Sequence, residues 1–340
     1  MINICTIGWW TAQAGIIKAL SALPWANITG IVCTTDNGGS SELLRKSLHI
    51  PSPGDVRNCI TEVADQGHFL NKLLSYRFQE GAIKGMQLGN MIVGALARIE
   101  WSYHGAIEKI HEELGMQHHI YPVSNESTNI CAVLDDGERV VGEWQIIKRV
   151  NQRPIIKYYL EHEAHALPKV QHALATADLI VICPGVLWTA IVSTLLHKGM
   201  KASIFSSEAP LVYMSNIMTY PSQTDDYRVS DHIEVIEKYT WRRPDYVIAN
   251  DTPPNTWLLE AYASQNMYYV PLDRENIHED IELITGKYIL DVDASSQWQY
   301  SRHASTAQHV GPHMIQPDMG AVFNVFSNLV TKLWLTISDS

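Results

Sequence analysis

The sequence predicts an α/β protein with a mostly parallel sheet, and three observations carry that prediction. Strand-like and helix-like segments alternate in both halves of the chain. Some strand candidates are apolar throughout, Leu179-Ile180-Val181-Ile182-Cys183 above all, as expected of strands covered on both faces. Polar, glycine-bearing segments follow several of these strands directly, at the sheet edge where open parallel sheets bind ligands.

Residues 2–7 read as the first strand, 12–23 as a helix stopped by Pro24, and 28–33 as the second strand, which makes one βαβ unit. Apolar residues at helical spacing over 55–64, 69–78, 88–101 and 105–114 predict a helical block at about 55–115. Residues 119–123, 129–134 and 140–147 read as short strands, the last two joined by an Asp136-Gly137 turn, giving a small β insertion at about 119–160. The α/β pattern then resumes with a helix over 170–176, a strand over 179–183 and a helix over 187–197. Strands over 211–215 and 246–249 follow, with a helix over 230–239 between them. Residues 293–317, rich in Ser, Gln and His without periodicity, read as a long loop before a last helix near 319–333. On this reading residues 1–250 form one domain and 251–340 an extension packed on it, with no internal repeat and no linker.

Composition narrows the function. The 340 residues carry 25 Lys and Arg against 36 Asp and Glu, a formal charge of -11, so no basic surplus exists to displace counterions from a nucleic acid. Local anion binding remains open, because Arg45, Lys46 and Arg57 lie near the main polar loop. The N-terminus has no basic start and no small-residue cleavage site, and no apolar run reaches the span of a bilayer. The expectation is a cytoplasmic protein without membrane insertion. Five scattered cysteines in apolar surroundings read as buried thiols, not as a disulfide or zinc framework. The densest histidine segments, His118-His119 and His162-Glu163-Ala164-His165, lack a third ligand at zinc spacing, and no Gly-x-Ser-x-Gly elbow is present.

The segments with chemistry gather at strand ends. After the second strand comes Thr34-Thr35-Asp36-Asn37-Gly38-Gly39-Ser40-Ser41: two glycines for close backbone approach, hydroxyl and amide donors, and one carboxylate able to hold a divalent cation against phosphate oxygens. A plain polar turn has similar composition. Gly8-Trp9-Trp10-Thr11 follows the first strand, Pro184-Gly185 the strand over 179–183, and Asn216 the strand over 211–215. Pro53-Gly54-Asp55-Val56-Arg57-Asn58 reads as a helix start with Asp55 as N-cap and Arg57 free to pair with an anion, or as a capped helix and no more. Leu88-Gly89-Asn90 opens another helix, where free amides meet an anion or the glycine is structural.

These segments, with Tyr76-Arg77-Phe78, Gly142-Glu143, Ala177-Asp178-Leu179, Asn216-Ile217-Met218-Thr219 and Asp231-His232, occur in the order found in the CofD/YvcK family. The chain resembles that family over roughly residues 2–250, and its YvcK-like branch more than the 2-phospho-L-lactate transferase branch. The resemblance implies a Rossmann-like, mostly parallel sheet with helices on both faces, the helical block and the β insertion. It also implies a nucleotide or nucleotide-sugar ligand such as a UDP-sugar, a homodimer, and a role in metabolic or cell-envelope regulation. The transferase branch implies instead Mg²⁺-dependent transfer of a phospho-ester group from a nucleoside diphosphate ester to an alcohol, with release of the monophosphate. Carried over, the resemblance makes Asp36 and Asp55 the catalytic candidates and Asp36 the metal ligand. The ligand-binding set becomes Gly8, Thr11, Asn37, Gly38, Gly39, Ser40, Ser41, Arg57, Asn58, Gly89, Asn90, Pro184, Gly185, Thr189 and Asn216.

The first loop departs from the family. Gly8-Trp9-Trp10-Thr11-Ala12 stands where the family has Gly-Gly-Gly-Thr-Gly, so two indoles crowd a cradle that glycines normally open to phosphate. Val186 replaces a Ser, Ser222-Gln223-Thr224 replaces Gly-Glu-Thr, and Asn37 replaces an aspartate. Trp9 and Trp10 therefore fill a vacated pocket in a ligand-free interaction module, stack on a planar ligand group, or pack under neighbouring loops.

Overall fold

The structure is a computed structural model that describes residues 1–149, 153–290, 315 and 317–338; the side chains of residues 11, 39, 40 and 334–338 lie outside that description. The predicted loop over 293–317 falls almost wholly outside it.

Seven parallel strands form the main sheet: β1 (Ile2–Gly8), β2 (Ala26–Val32), β3 (His119–Pro122), β7 (Leu179–Ile182), β8 (Leu211–Met214), β9 (Tyr246–Asn250) and β10 (Glu282–Gly286). The order across the sheet is β10-β9-β8-β7-β1-β2-β3. Strands β4 (Ile130–Leu134), β5 (Arg139–Val141) and β6 (Ile155–Leu160) make a separate antiparallel sheet with β4 in the middle.

Alternation along the strands explains why helices cover both faces. Ile2, Ile4, Ile28, Ile120, Val181 and Val212 point into one apolar layer with α1 (Trp10–Ser21), α3 (Gly54–Val63), α5 (Leu88–Ile99), α6 (Tyr103–Leu114) and the C-terminal α13 (Met319–Ser338). Cys5, Ile7, Ile31, Ile180, Ile182 and Tyr213 point into the other, with α8 (Pro168–Ala175), α10 (Met200–Ser206) and α11 (Val229–Thr240). Both layers come from single residues of opposite parity on the same strands, so a one-residue register slip would exchange the two cores. From residue 251 onward, β10 extends the main sheet at its edge and Phe326 of α13 is fully buried.

Several elements differ from the sequence reading. Residues 119–122 pair in parallel with β2, as the outer strand of the main sheet, because Ile120 has an apolar layer to enter there. The stretch expected as strand over 140–147 divides into β5 and a short helix, α7 (Glu143–Lys148), whose start is fixed by a distant side chain described below. The helix expected over 187–197 begins as a π-helical turn, Leu187–Val192, before an α turn, Ser193–Leu195. Helix α2 (Gly39–Leu48) follows directly on the polar loop.

Candidate functional site

Strand order fixes where the site lies. From β1 the chain moves outward through β2 to β3 and then returns to β7 on the other flank of β1, so the order reverses between β1 and β7. At such a switch point the connections leave in opposite directions and open a crevice at the carboxyl ends of the strands. Gly8 and Trp9 border it on one side, Pro184 and Gly185 on the other. The β2 loop leading into α2 and the start of α3 lie alongside.

Three buried carboxyl groups converge beside that crevice. Asp36 follows β2, Asp55 lies in the first turn of α3, and Glu143 opens α7. Asp36 Oδ1 accepts the Gly38 N–H at 2.8 Å and Oδ2 accepts Ser52 Oγ at 3.2 Å, with the Ser41 hydroxyl as a further donor. Ser52 is held in turn through its carbonyl by Tyr103 Oη at 2.9 Å. Glu143 Oε1 accepts the Thr189 hydroxyl at 3.0 Å, and the Thr189 N–H reaches Gln223 Oε1 at 3.3 Å. Asp55 Oδ2 is buried without a hydrogen-bond partner.

Burial raises the pKa of all three, and the charge of neighbouring carboxyls adds to it at Asp55 and Glu143. Asp36 is raised by burial against the pull of the Gly38 amide, Ser52 and Arg45. Asp55 stands well above the carboxylate range through burial and then the Asp36 charge, partly offset by the neighbouring Trp9 indole and by Arg57. Glu143 is likewise well above its ordinary value through burial, then Asp36 and Asp55. Like charges gathered in a desolvated place favour proton or cation uptake.

The arginines nearby serve different ends. Arg45 Nη1 donates to the Asp36 carbonyl at 2.9 Å and Nη2 to the Thr128 carbonyl at 2.7 Å, pinning the β2 loop to the segment before β4. Arg57, 5% exposed, donates from Nε to Asn90 Oδ1 at 3.1 Å.

Other expected contacts have local partners. Asn37 accepts the Trp144 N–H at 2.9 Å and donates to Gln145 Oε1 at 2.8 Å, so it holds the start of α7. Gly142, at φ 99°, lets the chain turn beneath it, where a Cβ would sit 2.2 Å from Asn37 Nδ2. Asn216 clamps Gly185, donating to its carbonyl at 2.6 Å and accepting its N–H at 3.4 Å. Asn58 is half-buried, and its carbonyl accepts the Thr61 hydroxyl at 3.0 Å. At Gly89 a Cβ would lie 2.1 Å from the Leu74 carbonyl oxygen and 2.7 Å from Arg57 Cδ, so the glycine makes room for the arginine stem. The helix starting in the Pro53-Gly54-Asp55 segment takes Pro53 as its N-cap. Asp55 falls inside the first turn instead of capping it, and its carboxyl is directed to the cluster.

Trp9 and Trp10 pack edge to face, ring centroids 5.9 Å apart at 84°. Trp10 opens α1 at φ 35°, in the left-handed region that a side chain tolerates poorly. Gly38 and Gly39 form the entry to α2, and the side chains of Thr11 and Ser40 lie outside the described residues. Glu143, Ser52 and Gln223 were not among the sequence candidates, and Arg45 was named there only as a basic residue near the loop. Glu143 was signalled only by its place in the Gly142-Glu143 pair.

The donor set is hard oxygen: carboxylates of Asp36, Asp55 and Glu143 with the hydroxyls of Ser41 and Ser52. That set suits Mg²⁺, which is commonly held by one or two carboxylates together with ligand phosphates. Among the described residues no three His, Cys, Asp or Glu side chains close on one point. A cation here would therefore have to share its shell with a ligand or water.

Fold and site together define a doubly wound α/β protein with an acidic cluster at its topological switch point. The family model described as 2-phospho-L-lactate transferase CofD matches residues 4–289, and the chain belongs to that family. It is 37% identical to a putative gluconeogenesis factor of Thermotoga maritima over 305 residues, covering 89% of this chain and 96% of that protein. A putative gluconeogenesis factor of Clostridium acetobutylicum is 31% identical over 292 residues, 84% of this chain and 64% of the relative. The crystal structure of a UPF0052 family member from Bacillus halodurans superposes with a TM-score of 0.84 at 27% identity, covering 96% of this chain and 99% of the other.

Proposed function

We propose that this chain binds a nucleotide diphosphate compound or nucleotide sugar in the β1/β7 crevice, with Mg²⁺ between the Asp36–Asp55 pair and the phosphates. It would act as a cytosolic, homodimeric metabolic or cell-envelope factor of the YvcK-like type. The observation that supports the reading is the buried carboxyl cluster at the switch point, with Asp55 Oδ2 left without a protein partner. Its cost in the protein alone is offset if a cation joins it. The metabolic part follows the names of the relatives. Calorimetry and thermal shift with UDP-glucose, UDP-N-acetylglucosamine, GDP and GTP, each with and without Mg²⁺, test it. Binding that needs Mg²⁺ and is lost in Asp36→Asn is expected; no heat and no shift with any of them removes its basis.

A second reading is transferase chemistry, favoured by the place of Asp55 beside Asp36 at the crevice, where a bound cation would hold its carboxyl ionised and able to act as a general base. Mg²⁺ would supply charge stabilisation on the diphosphate. Asp55 would take the proton of an acceptor alcohol as its oxygen forms a bond to the outer phosphorus, the bridging P–O bond breaks, and the nucleoside monophosphate leaves. Release of monophosphate from a nucleoside diphosphate ester, unchanged in Asp36→Ala, would exclude this role for Asp36. A third reading, a ligand-free interaction module, draws on Trp9 reaching the Asp55 carboxyl; nucleotide found in the crevice of a soaked crystal would rule it out.

A further inference from the structure

We infer that the cavity between the ends of α2 and α5 is a second ligand site, separate from the crevice, for a small organic anion with one flat apolar face.

The cavity has a volume of about 240 Å³. Pockets for drug-sized ligands measure about 300–1,000 Å³, so the occupant is smaller than a nucleotide. Leu48 and Pro51 wall the cavity at the end of α2, Arg98 and Trp101 at the end of α5, and Ser102 and Asn125 lie between. Among the described residues no Asp or Glu lines it, in a chain whose formal charge is -11.

Its polar groups have donors to offer. Asn125 uses its Oδ1 to accept the His104 N–H at 2.8 Å, which leaves the Nδ2 hydrogens. Ser102 Oγ, the N-cap of α6, accepts the Gly105 N–H at 3.1 Å and keeps its own hydrogen. Most described arginines give a guanidinium hydrogen to a protein oxygen, as Arg45, Arg149 and Arg242 do, whereas Arg98 gives none among the described residues. A donor-lined recess with one cation suits an acceptor-rich anion, a carboxylate or a phosphoryl group.

Trp101 supplies the flat face. Its indole lines the cavity and is still 90% exposed, more than any other large apolar side chain described. The Trp101 backbone stands at φ 52°, in the left-handed region that glycine takes freely and a bulky side chain does not. Packing within the protein does not offset that strain; a flat ligand face laid on the indole would. The cavity also backs onto the segment that holds Asp36, since Tyr103 on its wall donates to the Ser52 carbonyl at 2.9 Å and Ser52 donates to Asp36. Neither Arg98 nor Trp101 belongs to that chain of bonds, so both can be replaced without touching the carboxyl cluster.

Calorimetry on the full chain tests the site with glucose 6-phosphate and benzoate, a sugar-borne and an aromatic anion. Glucose and benzyl alcohol serve as their neutral counterparts, and phosphate and acetate as the bare anions. The proteins are the wild type, Arg98→Gln and Trp101→Gly; glycine suits the left-handed turn and Arg98 is exposed, so both variants should fold, which urea midpoints check. At least one of the two anions should bind about tenfold or more tighter than its neutral counterpart and its bare anion, the worth of one charge-assisted pair, and should lose that advantage in each variant. The one that does so identifies the source as a phosphorylated sugar or an aromatic acid. Tryptophan fluorescence should follow the titration in the wild type and not in Trp101→Gly. Binding no tighter than the bare anion, an affinity unchanged in the variants, or no binding of either compound overturns the site. The test involves no nucleotide, so its failure leaves the reading of the crevice untouched.

Discussion

Glu143→Gln tests whether the buried carboxyls carry protons in the native protein. Glu143 is 6% exposed, and burial, then Asp36 and Asp55, raise its pKa well above the ordinary value. The unfolded chain releases that proton above about pH 4.3, whereas the folded protein keeps it. Stability from this group is therefore fully present below about pH 4.3 and is lost as pH rises through the folded value. Each proton so held lowers stability by about 1.4 kcal/mol per pH unit, or up to about 2.7 kcal/mol between pH 5 and pH 7. Gln keeps an oxygen for the Thr189 hydroxyl, which now lies 3.0 Å from Oε1, and has no proton to exchange. Urea unfolding at pH 5, 6 and 7 should show the variant gaining on the wild type by up to that amount across the range. A difference between the two proteins that does not change with pH would refute the argument, because it would mean that Glu143 is ionised in the fold.

Three further outcomes are expected. Gly89→Ala should lose about 1–3 kcal/mol in urea unfolding, since its Cβ would meet the Leu74 carbonyl oxygen at 2.1 Å; an unchanged midpoint would mean that α5 shifts freely there. Nucleotide binding should change tryptophan fluorescence through Trp9, whose indole neighbours the Asp55 carboxyl at the crevice, and the change should be largely absent in Trp9→Phe; a full response in that variant would place the ligand elsewhere. All five cysteines are buried as free thiols, with Cys5 pushed up to about 12 and Cys33 to about 11 by burial, so Ellman's reagent at pH 8 should label none in the native protein and five in guanidinium. Rapid native labelling would contradict the packing of both sheet faces.

The sheet was legible where its residues face two cores. β1, β2, β7 and β8 are apolar on both parities, and the loops after them announce themselves by Gly, Asp and Pro. Elements with one-sided or partial burial were not. Only Tyr158 of β6 is fully buried and Ile156 is 65% exposed, while β10, at the sheet edge, has no fully buried residue, so neither shows a usable alternation. Helix α2 has an exposed Leu43 and starts at two glycines, without a side-chain cap to mark it. In the site, Asp36 and Asp55 were readable because local composition flags them. Glu143 was not, because its role depends on Asn37, more than a hundred residues earlier, fixing the start of α7 and on Thr189 meeting its carboxyl.

That dependence says how the site is built. Asp36 comes from the β2 loop, Asp55 from the helical block, Glu143 from the segment between β5 and β6, and its partner Thr189 from the π-helical turn after β7. The π turn is itself tied to the β2 loop, Thr35 Oγ1 lying 2.6 Å from Ser193 Oγ just beyond it. Four segments far apart in sequence thus meet at carboxyl groups that repel one another, held there by neutral donors and by Arg45. Repulsion at such a junction opposes closure of the segments, and whatever neutralises it, proton or cation, favours closure. Trp9 acts on the same balance from the β1 side, since its indole, neighbouring the Asp55 carboxyl, favours the ionised form. A ligand that takes the place of the indole would remove that stabilisation unless it brought a cation of its own. If the crevice binds a nucleotide as proposed, Trp in place of the family's Gly in the first loop should make that binding more dependent on the metal.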